Sequence, residues 1–320
     1  MINGYLRADG RKGIRNVIVV AYLVECGHHV AREIAQPFRE QGVHVIGFPG
    51  CFPNAYAERM MRSLTTHPNV GGALLISLGC ESFNGRDLKS HITKSGRPGE
   101  LMIIQRDGGT RSTIEAGRAW VEQTLAELGN TPRADIKPGE LVIGTICGGS
   151  DATSGLAANP AMGRAFDMLV DLGAACIFEE TGELIGCEGY MADRAVTPEL
   201  GQAIIDSVAK AHRHYHTLGH ASISPGNAEG GLTTIEEKSM GAYAKSGAAP
   251  ISGLLKPGDQ PPKGGLYLLD MVSDGDVRFG FPSINDTEEV GELIACGAHV
   301  VLFSTGRGSA FGFKPSPSIK

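Results

Sequence analysis

Four of the chain's seven cysteines stand where an apolar run gives way to a loop: Cys26 after "VIVVAYLVE", Cys51 after "VHVIGFPG", Cys80 in "GALLISLGCES" and Cys147 at the end of "ELVIGTIC". Taken singly, each reads as a small buried hydrophobe, because free cysteine is among the most buried residue types. Repeated at equivalent ends of successive strands, they read instead as thiolates gathered around a soft or borderline metal, iron alone or in an Fe–S cluster. No CxxC spacing occurs, which excludes zinc-ribbon and ferredoxin patterns. Cys176 falls inside a strand pattern and Cys296 on a helix, positions that suit core packing, and Cys187 in "ELIGCEGY" stays unassigned.

Carboxylates gather in "FEETGELIGCEG" as Glu179, Glu180, Glu183 and Glu188. The two readings are a solvated acidic loop and a site in which one carboxylate binds metal while another does acid–base work. In "KAHRHYHTLGH", His212 and His216 share a helical face at i,i+4, a spacing that could bind zinc. The stretch lies at a helix end, where histidine also complements the dipole, and that reading is preferred; His220 is left open. Arg111 in "DGGTR", Arg307 in "STGRGSAFG" and nearby Lys314 sit in or beside glycine loops, where a cation can clamp a carboxylate. Lys238, after "TTIEE", reads as a helix-surface residue, with an inward-pointing side chain as the alternative. GxSxG, Walker A and strand-linked GxGxxG patterns are absent, which weakens hydrolase, nucleotide-binding and dehydrogenase readings.

The elements that must position these groups alternate. Apolar runs of strand length at 16–24, 43–48, 71–77 and 101–105 are separated by helical patterns at 28–41, 54–67, 84–95 and 110–129, with Pro37 interrupting the first helix and Asn54 capping the second. "NTPRADIKPGE" (130–140) is polar, holds two prolines and reads as a linker. The alternation resumes with strands at 141–147, 174–180, 265–271 and 299–305 and helices at 160–172, 198–216 and 288–295. Such a pattern predicts an α/β protein of two Rossmann-like lobes, residues 1–135 and 136–320, with mainly parallel sheets. Ligands of open parallel sheets bind beyond the carboxyl ends of strands, so the strand-end cysteines predict a site between the lobes.

Composition removes several classes. The net charge of −6 and the absence of a Lys/Arg cluster leave no electrostatic footprint for nucleic acid or an anionic membrane. The polar, glycine-rich start lacks the pattern of a signal peptide, and no apolar run reaches the roughly 20 residues that span a bilayer. A cytoplasmic protein with free thiols is expected. Glycine, 45 of 320 residues, is about twice its usual share. It clusters in "RDGGTR", "ICGGSD", "PGNAEGGL" and "STGRGSAFG", loops suited to backbone contacts with an anion.

Several long motifs carry a resemblance. "GYLRADGRKGIRN", "LGCE", "DGGTR", "CGGSDATSGLAANPAMG", "SPGNAEGGLTTIEEKSMGA" and "STGRGSAFGFKPSPSIK" are similar to the large catalytic region of the altronate/galactarate dehydratase family, from one end of the chain to the other. The resemblance implies a hydro-lyase that removes water from a sugar acid to give an enol and then a 2-keto-3-deoxy acid. It implies iron, as Fe2+ or an Fe–S cluster, with Mn2+ as a second candidate. It assigns Cys51, Cys80, Cys147 and Cys26 to the metal, and Glu180 and Glu183 to acid–base chemistry. Substrate binding falls to Arg111, Ser150, Arg307, Asn227 and Lys314, with Asp151 serving either role. Related members release sulfite from sulfolactate instead, and a carboxylate-binding paralogue without catalysis is the non-enzymatic alternative.

This chain departs from the family pattern at two histidines. "GFPGC" places Gly47, Phe48 and Pro49 where relatives carry an "HG-x-GC" loop, and Gly189 stands where a "GAEH"-type histidine is expected. Family chains also continue past "SIK" and many carry a small fused N-terminal domain. The resemblance therefore implies a second lobe shortened at its carboxyl end, a separate small subunit, and a homo- or hetero-oligomer.

Overall fold

The computed structural model describes residues 2–219, 222–272, 274 and 285–320, so His220 lies outside the described residues. The chain divides into two compact units, Met1–Lys137 and Pro138–Lys320.

The strands of the first unit are β1 (Ile2–Leu6), β2 (Lys12–Gly13), β3 (Val17–Tyr22), β4 (Val43–Gly47), β5 (Val70–Ser77), β6 (Gly99–Ile103) and β7 (Arg133–Ile136). Its helices are α1 (His28–Ala35), α2 (Ala55–Thr65), α3 (Gly85–Lys94) and α4 (Gly109–Leu128). β4-β3-β5-β6 form a sheet whose pairs are all parallel. The strands are short and apolar on both faces because helices cover both sides; Ile18, Val20, Leu74 and Ile76 pack with Val30, Ile34 and Val121 of α1 and α4. Asn54 accepts a hydrogen bond from the Ala57 N–H at 2.9 Å and caps α2 as its sequence position predicts. The predicted helix over 28–41 is two pieces. Pro37 lacks the N–H an α-helix needs at that point, and the chain tightens into a 3-10 helix over Gln36–Gln41.

The expected linker at 130–140 contains β7, which pairs antiparallel with β1 in a small β2-β1-β7 sheet. The neighbouring "RADGRKGIRN" (7–16) is tied to the start of β5 by two buried arginines, its own Arg7 and Arg97 from beyond it. Arg7 donates to the Pro68 carbonyl (2.7 Å), the Asn16 side chain (2.6 Å) and the Arg15 carbonyl (2.9 Å). Arg97 donates to the Val70 carbonyl and to Asp9. This long motif is an internal clamp of loop to sheet.

The second unit contains β8 (Val142–Cys147), β9 (Ala175–Phe178), β10 (Ile251–Leu255), β11 (Gly265–Leu269), β12 (Val300–Ser304) and β13 (Ser318–Ile319). Between them run α5 (Asn159–Asp171), α6 (Glu188–Ala192), α7 (Pro198–Thr217), α8 (Pro225–Glu229), α9 (Ile235–Lys245) and α10 (Asp286–Ala295). The sheet order is β10-β11-β9-β8-β12-β13, again with parallel pairs. Sequence periodicity missed α8 and β10 and marked α9 only through the helix-surface reading of Lys238; all three lie in a Gly/Ser-rich stretch with weak amphipathic signal. Chain order places β9 on one side of β8 and β12 on the other. That reversal is a topological switch point, where the loops leaving the strands part and open a crevice. Among the described residues, no helix is long and apolar enough to cross a membrane.

Candidate functional site

Cys147 is the last residue of β8 and so stands at the switch point of the second unit. Its thiol is buried and meets two carboxylates, Glu180 Oε1 at 3.4 Å and Glu183 Oε2 at 3.2 Å. Among the described residues these three form the one group of thiol, imidazole or carboxylate ligands close enough to share a metal ion. The acidic loop is therefore buried: Glu179, Glu180 and Glu183 are all less than a tenth exposed.

Each carboxylate gives its other oxygen to a lysine. Glu180 Oε2 pairs with the fully buried Lys245, and Glu183 Oε1 with Lys238 at 2.6 Å. Both lysines come from α9, seven residues apart and hence on one helical face. Lys238 also donates to the Ser222 carbonyl at 2.8 Å, and Lys245 Nζ lies 3.6 Å from the thiol. The expected surface position of Lys238 is thus replaced by an inward one. Lys245, unremarked in the sequence, could have been noticed as the second lysine bounding the small-residue face Ser239–Gly241–Ala242.

Burial pushes the Cys147 thiol up to about 11, with Glu183 adding to the effect and Lys245 opposing it. Burial also works against the Lys238 ammonium, but Glu183 outweighs it and holds its pKa above the ordinary value. Glu180 is the one non-glycine residue with positive φ (75°) among the described residues, a left-handed conformation that carries strain. It turns the carboxylate back under β8, where Oε2 accepts from the Cys147 N–H at 3.1 Å.

Three of the glycine loops meet around this group. Ser150 donates to the Cys147 sulfur at 3.3 Å, and its carbonyl accepts from Asn227 at 3.1 Å. Arg307 donates from its N–H to the Gly149 carbonyl and from its guanidinium to the Gly226 carbonyl at 2.6 Å, near Glu229. Asp151 accepts from the Ser154 N–H and the Thr153 hydroxyl, which hold its pKa below the ordinary range and start the helix that follows. A Cβ on Gly306 would overlap that carboxylate, so glycine is required for the loops to close. Lys314 is exposed.

Cys26, Cys51 and Cys80 belong to the first unit, follow β3, β4 and β5, and are exposed. Arg111 is exposed in the first turn of α4. Cys176 and Cys296 are buried, as their sequence positions predict, and Cys187 is buried with its sulfur 3.9 Å from that of Met240. His212 and His216 are exposed at the end of α7. Gly189 faces open space, so nothing in the packing requires glycine there.

The donor set can be tested for a metal. A thiol has one proton, so it can donate to one of its two carboxylate neighbours; the other contact sets acceptor against acceptor. Glu180 Oε1 and Glu183 Oε2 face the sulfur while the opposite oxygens keep their lysines. One soft and two hard donors are then presented to a common point, which suits a borderline divalent ion. The residues fit.

The family model described as D-galactarate/altronate dehydratase, C-terminal, matches residues 139–320. The one described as D-galactarate dehydratase/altronate hydrolase, second domain, matches residues 4–129. The chain is 30% identical to altronate dehydratase of Bacillus subtilis (strain 168) and 32% identical to galactarate dehydratase (L-threo-forming) of Escherichia coli (strain K12), in each case over 99% of this chain and 64% of the relative. It is 32% identical to (2R)-sulfolactate sulfo-lyase subunit beta of Chromohalobacter salexigens, over 99% of this chain and 80% of the relative. The chain thus spans 64% of the length of these dehydratases. With models matched to both units and these relatives aligned along nearly all of its length, the chain belongs to the D-galactarate/altronate dehydratase family.

Proposed function

We propose that the chain is the catalytic part of a metal-dependent hydro-lyase that converts a 2,3-dihydroxy sugar acid of the altronate or galactarate type into a 2-keto-3-deoxy acid. The observation that carries this reading is the buried Cys147–Glu180–Glu183 group with a lysine behind each carboxylate. Cys147 and Glu180 would hold Fe2+ or Mn2+, with Glu183 in reach of the same ion, and the ion would polarise the substrate carboxylate and 2-oxygen. Glu183 takes the C2 proton. The electrons of the C2–H bond form the C2=C3 double bond as the C3–O bond breaks, and the hydroxyl leaves as water with the proton that Glu183 has taken. The enol then loses its O–H proton as C3 gains one, which gives the keto acid with no net redox change. Lys238 and Lys245 hold positive charge beside the developing enolate. Cys26, Cys51 and Cys80, exposed at the strand ends of the first unit, do not come together closely enough to share a single ion, and the iron proposed for them is an Fe–S cluster.

Sulfite elimination from a sulfonated 2-hydroxy acid is the second reading. It keeps the enolate chemistry, changes the leaving group, and is favoured by the likeness to the sulfolactate lyase subunit. That relative's name as a subunit also supports a separate small partner chain.

The test is an assay of chain purified without oxygen, with Fe2+ and each of altronate, galactarate and (2R)-sulfolactate, following keto acid and sulfite. Glu183→Gln is expected to lower kcat by about 10²–10⁴-fold, the usual share of a general base, with little change in KM. Saturable binding of these acids without turnover, iron present, would make the chain a carboxylate-binding paralogue.

A further inference from the structure

A second charged cluster stands on the same sheet as Cys147. Lys210 of α7 and Lys256, the residue after β10, both donate to Asp270 Oδ2 at 2.6 Å. Both also donate to one oxygen of Asp274, at 2.9 and 2.8 Å. Asp270 is almost fully buried, whereas the Asp274 side chain is 76% exposed. Two ammonium groups are thus fixed from within by one aspartate and covered from outside by another. Among the described residues nothing hydrogen-bonds the buried Oδ1 of Asp270, an arrangement that costs free energy unless something donates to it.

The strand register places this cluster in line with the thiol site. Thr145 pairs with Phe178, Phe178 with Leu268, and Leu255 with Leu269. Extending those pairs by one or two residues puts Cys147, Glu180, Asp270 and Lys256 in one row across β8, β9, β11 and β10. In-register residues of a parallel sheet share a face. Cys147 and Asp270 are therefore two strand spacings apart, about 10 Å, a separation that the two ends of a six-carbon chain can approach.

We propose that Lys210 and Lys256 form an anion subsite for the carboxylate of a small organic acid, with Asp274 standing in for that carboxylate in its absence. Under the hydro-lyase reading, on which this extension rests, the ligand group is the distal carboxylate of a sugar diacid, and a hydroxyl of its chain donates to Asp270 Oδ1. Replacement of Asp274 by the ligand keeps two positive charges against two negative ones, so the subsite stays neutral in both states. Hydrogen bonds from Lys256 and Lys210 bring the Asp274 carboxyl down to about 2.

The experiment is lysine acetylation of the full chain, mapped on Lys210 and Lys256 by peptide mass spectrometry, against rising malonate, galactarate or galactonate. Malonate and galactarate are expected to protect both lysines. Asp274→Ala, at an exposed position, is expected to lower the half-protecting concentration several-fold. Galactonate, with a hydroxyl in place of the second carboxylate, is expected to protect at least tenfold less well, the share of one charge-assisted hydrogen bond. Lys256→Met is expected to weaken protection of Lys210 by a similar factor. If acids leave the acetylation of wild type and Asp274→Ala unchanged, the cluster is a structural ion-pair network and the proposal falls. Protection by malonate but not by galactarate supports the subsite and counts instead against the sugar-acid reading.

Discussion

Lys245 is the residue on which the site's charge balance turns. Its ammonium is fully buried, pairs with Glu180 and lies beside the Cys147 sulfur. Removing one member of a buried pair strands the other charge, at about 3–5 kcal/mol. Lys245→Met and Glu180→Gln are each expected to destabilise the chain by that amount, and the double variant by clearly less than the sum, read from urea unfolding midpoints. Additive losses would show that the two charges do not depend on each other. Glu180 and Glu183 were legible as acid–base candidates through the family resemblance of "EETGE", whereas the residue pattern alone left a solvated acidic loop equally open. Lys245 was not, since a buried lysine runs against what the residue type ordinarily does. The four cysteines looked equivalent in the sequence, yet Cys147 alone carries two carboxylates, because strand-end position does not encode which loop folds back.

At the scale of elements, the clamp around β1 and β2 has its own pH dependence. Burial works against ionisation of Asp9, but hydrogen bonding and charge from Arg11, with Arg97, outweigh it and bring its pKa to about 2. The folded value lies below the unfolded one, near 3.9. Asp9 therefore contributes stability that is fully present above about pH 4 and is lost as pH falls through 2. The contribution is about 1–2 kcal/mol after discounting for its partial exposure. Asp9→Asn is expected to lower the denaturant midpoint at pH 7 and to match wild type at pH 2; an equal gap at both pH values would contradict the clamp. The sequence marked helices well where a cap or proline announced them, as at Asn54 and Pro37. It missed β7 because a short strand whose stability comes from pairing with β1, at the far end of the unit, has little local signal. It touched α9 only through Lys238 and gave the helix no extent, because the buried face is made of Ser239, Gly241 and Ala242 rather than large apolar residues.

At the scale of the molecule, alternation of apolar runs with amphipathic helices was enough to read parallel α/β architecture, since buried parallel strands have no polar face to show. Strand order was not legible: that β8 sits at a switch point depends on β12 crossing to its far side, a non-local event. This order matters for where the metal-binding capacity resides. Each unit has its own sheet and its own apolar cluster, and Cys147, Glu180, Glu183, Lys238 and Lys245 all lie within Pro138–Lys320. A unit with an independent core can fold alone. The isolated segment 138–320 is therefore expected to melt in one cooperative transition and to be stabilised by Fe2+ under anaerobic conditions. At a hundredfold excess over Kd the gain is about 2.7 kcal/mol, a rise in Tm of about 5–10 °C for a domain of this size. Cys147→Ala should abolish the rise, whereas Cys187→Ala, which removes a buried thiol outside the group, should keep it. A rise that survives Cys147→Ala would move the ion to other ligands and leave the buried thiol as a hydrogen-bonding partner of its two carboxylates.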